Sequence, residues 1–177
     1  MSRDSRLLSL LLRHRPDKAG LVLGPGGWVG VDDLLAGMAR LGRPLDRAAL
    51  ERIVAQDEKG RFTLSPDGSR IRAAQGHSAE VDLGLPPAEP PAILFHGTAE
   101  TSLPAILSEG LIPGRRRHVH LSPDIPTAAK VGQRHGRPVV LRVGAGAMHQ
   151  DGLPFWQADN GVWLTERVPP RYLERLP

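Results

Sequence analysis

The chain has 177 residues, 40% hydrophobic and 24% charged, ordinary values for a globular protein and enough for one medium domain or two small ones. No apolar run reaches membrane-spanning length, and no signal-peptide pattern follows the short "LLSLLL" run. Cysteine is absent, which excludes disulfides and thiolate metal sites, and a cytoplasmic protein with no membrane role is expected. The net charge is only +4, but of 23 basic side chains just Lys18, Lys59 and Lys130 are lysines. Arginine grips phosphate or carboxylate with two parallel hydrogen bonds, so the composition hints at phosphate-bearing partners.

In chain order, an amphipathic helix is expected over 4–14, with Leu7, Leu8, Leu11 and Leu12 on one side and Pro16 beyond its end. A second helix is expected over 31–42, with aspartates near its start and Gly42 as its stop. A third follows over 45–56, capped by Asp46. The period then changes to two. "RFTLSPDGSRIRAA" (61–74) reads as a hairpin about Asp67-Gly68 that pairs Leu64 with Ile71 and Thr63 with Arg72. Phe62, Leu64 and Ile71 then share a buried face, while Arg61, Thr63 and Arg72 share an outer one. Three helices and a hairpin are the order of a winged-helix domain. "LVLGPGGWVGVDDLL" (21–35) has the look of a dinucleotide fingerprint. Its glycine spacing is irregular, however, and no βαβ unit follows, so a tight turn into the second helix is expected.

"GLPPAEPPA" (84–92) reads as a stiff extended linker between two halves. Lys+Arg against Asp+Glu is 13 to 11 over 1–85 and 10 to 8 over 86–177, so each half is net +2 and function must rest on local clustering. The second half alternates strands (92–97, 118–122, 138–144) with helices (102–110, 124–136). A strand pair follows, 154–159 and 161–168, about Asn160. The expected fold class is α+β.

Several short motifs carry candidate chemistry. Arg13 and His14 end the first helix, where cations offset the dipole or a histidine exchanges a proton beside a bound anion. "QGHS" (75–78) supplies small polar donors after the hairpin. "FHGT" (95–98) puts His96 where a strand runs into a polar turn, with Gly97 allowing close approach of a ligand. "RRRHVHLS" (115–122) places His118 and His120 on one strand face, behind three arginines. That stretch suits a basic patch, a metal pair or part of an active site. A metal would need further ligands and would be repelled by the arginines, so no metal is expected.

Taken in order, "LLSLLLRHRP", "GWVGVDDLL", "KGRF", "IRAAQGHS", "FHGT", "RRRHVHLS", "VGQRHG" and "FWQADNGVWLT" resemble the RNA 2′-phosphotransferase family over nearly the whole chain. The resemblance implies a winged-helix RNA-binding lobe over 1–85 and an ADP-ribosyltransferase-like NAD lobe over 86–177. The latter fold holds NAD without a glycine-rich fingerprint. The resemblance further implies that Arg13, His14, Arg61 and Arg116 are catalytic, Arg116 being chosen by its spacing from His120. The cofactor set it implies is His96, Gly97, Thr98, His120, Leu121, Ser122, Arg134 and Asn160. Lys59, Arg72, Gln75, His77 and Ser78 are the candidate RNA contacts. The implied reaction is removal of an internal RNA 2′-phosphate, with NAD consumed as co-substrate, no metal, and a monomeric protein acting on RNA. The 2′-phosphate attacks the anomeric carbon and releases nicotinamide. The 2″-hydroxyl then expels the RNA as a 2′-hydroxyl, leaving ADP-ribose 1″,2″-cyclic phosphate. Two alternatives stand: an ADP-ribosyltransferase acting on a terminal phosphate or a protein, and a winged-helix DNA-binding regulator with a ligand-sensing domain.

Overall fold

The computed structural model describes residues 2–177, which divide between Leu85 and Pro86 into two compact units. The α+β expectation holds: helices are interspersed with small sheets whose strands all pair antiparallel. No helix among the described residues is long and apolar enough to cross a membrane.

In the first unit, α1 (Arg3–Arg13) starts at Ser2, whose hydroxyl accepts the Ser5 N–H, and buries Leu8, Leu11 and Leu12. It stops at His14, two residues before Pro16, whose ring excludes a helical Arg15. α2 (Val31–Arg40) and α3 (Arg47–Ala55) follow, the latter capped by Asp46, which accepts the Ala49 N–H at 2.7 Å. β2 (Phe62–Leu64) and β3 (Arg70–Ala73) pair in the expected register, Thr63 with Arg72 and Leu64 with Ile71. Their turn differs from a two-residue mirror-image turn. The Gly68 N–H bonds Ser65 O, placing Pro66 and Asp67 at the corners and Gly68 at φ 70°.

"PGGWVG" resolves into a 3-10 turn (Pro25–Gly27) and a short strand, β1 (Val29–Gly30), that pairs with β3 and completes a sheet of order β1-β3-β2. A two-residue strand is too short for alternation to reveal, so the sequence pattern shows only the turn. Val29, Ile71, Phe62 and the buried helix leucines form one core.

In the second unit, β4 (Leu94–Ala99), β6 (Pro138–Val143) and β9 (Leu173–Arg175) form one sheet. β5 (Val119–Leu121), β8 (Trp163–Thr165) and β7 (Phe155–Gln157) form another. The sheets join where Phe95 and Ser122 exchange backbone hydrogen bonds of 2.9 and 2.7 Å. α4 (Leu103–Glu109), α5 (Ile125–Gly132) and α6 (Ala145–Gln150) connect the strands. The proline-rich segment is partly docked: Ala88 donates to Phe155 O at 2.8 Å.

Two expectations need correction. β4 runs two residues beyond 97, because His96, Gly97 and Thr98 pair continuously with Leu141, Val140 and Val139 of β6, so "FHGT" is strand and not a terminal turn. α5 ends at Gly132 and not at 136. Its backbone there lies against β4, where an added Cβ would sit 2.8 Å from Thr98 O, and Pro138 excludes a helical Arg137.

Candidate active site

The first unit gathers its candidate residues at one end of the β2–β3 hairpin. Arg61, just before β2, accepts the Ala74 N–H at 2.9 Å, which places it beside the start of "QGHS". That segment turns back onto the end of α1, where Ser78 N and Ala79 N both donate to Arg13 O, at 2.9 and 3.0 Å. The Arg13 guanidinium packs over Gly76, about 3.7 Å from where a Cβ would stand. His14 Nδ1 lies 2.8 Å from Ser78 Oγ, a contact that serves either imidazole tautomer because a hydroxyl both donates and accepts.

Asp57 joins this group without a sequence motif to announce it. Its carboxylate, 5% exposed, accepts the Arg61 N–H at 2.5 Å and forms an ion pair with the Arg61 guanidinium. The only sequence signal was its position four residues before Arg61 in the tight "DEKGR" turn.

Other candidates lie differently. Lys59 is exposed in the turn before Arg61. Arg72 sits on β3 with its guanidinium 4.6 Å from the Trp28 ring centroid, donating to Gly26 O at 3.3 Å. Gln75 is half-buried, and its Oε1 makes no hydrogen bond. His77 is only 3% exposed, with Nε2 3.3 Å from the place a Cβ on Gly27 would take.

In the second unit, the crossing of β4 and β5 brings His96 to His120. The His96 ring meets His120 O at 3.0 Å through Nδ1, and since a carbonyl only accepts, Nδ1 carries the proton. Burial is the main cause that pushes the His96 pKa below its ordinary value. The Arg116 charge adds to this, and the hydrogen bond to His120 O opposes it. The ring is thus neutral, with Nε2 left as an acceptor.

Arg116 itself is pushed down, first by loss of solvent around its guanidinium and then by the charge of Arg134. Among the described residues no carboxylate forms an ion pair with either arginine, so the two guanidiniums repel one another without a neutralising partner. Of the three adjacent arginines, Arg116 is the one whose charge is felt at His96.

Ser122 lies at the Phe95 bridge. Asn160 sits in the β7–β8 turn at the same end of the sheet, since Leu121 pairs with Trp163. Leu121 and Thr98 turn their side chains inward, at 1% and 8% exposure. At Gly97 packing alone requires glycine: a Cβ there would lie 1.6 Å from Ala128 O in α5. The His118 and Trp156 rings meet in a tilted contact, 5.2 Å between centroids and 60° between planes. No group of three or more metal-ligating side chains gathers among the described residues.

Comparison with known proteins agrees with the motif order. Residues 2–167 match the family described as RNA 2′-phosphotransferase, Tpt1 / KptA family. A probable RNA 2′-phosphotransferase of Agrobacterium fabrum is 61% identical over 169 residues, covering 96% of this chain and 91% of that protein. One from Trichormus variabilis is 53% identical over 172 residues, covering 97% and 94%. One from Burkholderia lata is 54% identical over 176 residues, covering 99% and 91%. A match over nearly the whole chain, at identities above one half, places this protein in the RNA 2′-phosphotransferase family.

Proposed function

We propose that the protein removes an internal 2′-phosphate from RNA in an NAD-dependent reaction, acting as a cytoplasmic, monomeric transferase. The observation that carries this reading is the family match over residues 2–167, reinforced by relatives named probable RNA 2′-phosphotransferase. In this reading the first unit is a winged-helix RNA lobe and the second an ADP-ribosyltransferase-like lobe for NAD.

The residues of each unit suit the chemistry. NAD brings a pyrophosphate and two riboses. The Arg116–Arg134 pair supplies positive charge with no competing carboxylate, and the neutral His96 supplies an acceptor for a sugar hydroxyl. The RNA 2′-phosphate is already an anion at neutral pH, so its attack on the anomeric carbon mainly requires positioning as nicotinamide departs. The second step is more demanding. The 2″-hydroxyl attacks phosphorus, the bond to the RNA 2′-oxygen breaks, and a proton passes from the attacking hydroxyl to the departing oxygen. The crowded, more negative phosphate of that transition state rewards fixed guanidiniums, the role of Arg13, Arg61 and Arg116. His14, held by Ser78, donates a hydrogen bond to that phosphate or relays the proton.

The test is an oligonucleotide carrying one internal 2′-phosphate, incubated with and without NAD in the presence of EDTA. NAD-dependent conversion to 2′-hydroxyl RNA that survives the chelator is expected, together with nicotinamide and ADP-ribose 1″,2″-cyclic phosphate. Products that stop at ADP-ribosylated RNA in the wild type, or loss of phosphate without NAD, would overturn it.

A further inference from the structure

The outer face of the first unit's sheet carries a feature that the phosphate chemistry does not use. Val29 pairs with Ile71 and Gly30 with Arg70, while Thr63 pairs with Arg72. Val29, Ile71 and Phe62 face the core, so strand alternation puts Arg70, Arg72 and Thr63 on the opposite face. Continuing the β1–β3 register places Trp28 beside Arg72 on that outer face. The side chains agree: the Arg72 and Arg70 guanidiniums stand 4.6 and 5.2 Å from the Trp28 ring centroid.

Two cations over one half-buried ring are more than a turn requires, and the ring is not sealed in. It borders an open groove of about 320 Å³ whose other walls include Leu21, Val22, Arg40 and the carboxylate of Asp33. Val22 is 87% exposed, an apolar side chain left at the rim of that groove. Guanidiniums layered over an aromatic ring are a surface that unpaired nucleotides bind, since a base stacks on a guanidinium plane as well as on a ring. The base stacks on the ring while the cations offset the adjacent phosphates.

The position fits as well. Arg61 lies on the same outer face, two strands across and two residues along from Trp28. With strand spacing near 4.8 Å and a rise near 3.3 Å, the separation is about 12 Å. That is the neighbourhood of a nucleotide flanking one whose phosphate is held at Arg61.

We propose that Trp28, with Arg70 and Arg72, is a stacking platform for an unpaired RNA base next to the 2′-phosphorylated nucleotide. The placement beside that nucleotide rests on the reading of Arg61 given above, whereas the stacking itself does not.

The test separates the two. The full-length chain is titrated with a single-stranded RNA oligonucleotide lacking any 2′-phosphate while tryptophan fluorescence is followed. Stacking on Trp28 predicts quenching that disappears in W28F, although the phenyl ring holds affinity within a few-fold. In W28L, checked by circular dichroism for native structure, affinity falls about 5- to 150-fold. On the 2′-phosphorylated oligonucleotide, W28L raises KM with kcat unchanged, and on a 2′-phosphorylated mononucleotide it behaves as wild type. Equal quenching in W28F and wild type, undiminished RNA affinity in W28L, or the same loss on the mononucleotide would overturn the platform. Quenching by RNA in a protein that fails to remove a 2′-phosphate would leave the platform standing and sink the reaction instead.

Discussion

Replacing Gly97 with alanine tests how the second unit is built. The added Cβ would sit 1.6 Å from Ala128 O, 2.5 Å from Ala128 C and 2.9 Å from Gly132 N, all backbone atoms of α5. A comfortable carbon–oxygen contact is near 3.3 Å, so α5 would have to retreat from β4 by about 1.7 Å. No rotamer change relieves this, because the obstructing atoms belong to a helix backbone. Overpacking typically costs about 1–3 kcal/mol, and this case belongs at or above the upper end. For a unit of this size each kcal/mol moves the melting temperature by about 4–8 °C, so a fall of about 12–24 °C in the second unit's transition is expected. Calorimetry of Gly97→Ala beside wild type measures it. Gly114→Ala is the control: no atom lies within 4 Å, and only its φ of +62° opposes a side chain, at a cost of about 1–2 kcal/mol. A Gly97→Ala protein melting within about 4 °C of wild type would refute the packing argument. If that stable variant had also lost NAD binding, the glycine would serve the ligand and not the helix.

Three other outcomes are expected. Ser78→Ala removes the 2.8 Å partner of His14, so kcat should fall with little change in KM and the pH–rate profile should shift; Ser78→Thr should restore both. A Ser78→Ala enzyme with an unchanged profile would show that contacts other than Ser78 set the state of His14. Asp57→Ala strips a nearly buried carboxylate from Arg61 and should cost about 2–3 kcal/mol in urea denaturation, with Asp57→Asn costing less; equal stability of all three would refute the pairing. His96 has a folded pKa below its unfolded value near 6.5, so the unfolded chain binds the extra proton. The His96 component of stability should therefore be flat above that pH and drop as pH falls below it, by no more than about 1.4 kcal/mol per unit, and His96→Gln should lose that component of the slope.

Much of the fold was legible because its signals are local. The leucine spacing of α1, the Asp46 cap and the glycine after α2 act within one or two turns of chain. The hairpin register was legible from alternation alone, although Pro66 and Asp67 select a different turn from the one an Asp-Gly pair suggests. What escaped was short or nonlocal. β1 has two residues, α6 has six, and the polar β9 is specified by its pairing with β6 and by no pattern of its own.

The candidate site divides along the same line. Residue types that announce chemistry, such as Arg13-His14 and "HVH", could be picked from sequence. The partners that orient them could not. Asp57 and Arg61 are four residues apart on a turn, His14 and Ser78 are 64 residues apart, and His96 meets a carbonyl of His120, which no side-chain motif reports. Gly97 shows what residue type alone leaves out: glycine beside histidine reads as room for a ligand, and the fold adds that its Cβ position is filled by α5. Arg116 shows the opposite case. Three adjacent arginines are equivalent in composition, and only the fold distinguishes them, by setting one guanidinium near enough to Arg134 and His96 for their charges to interact. The sequence signal of the candidate site is therefore carried by its cations. Their selection among neighbours is left to backbone geometry that appears only once β4 and β5 cross.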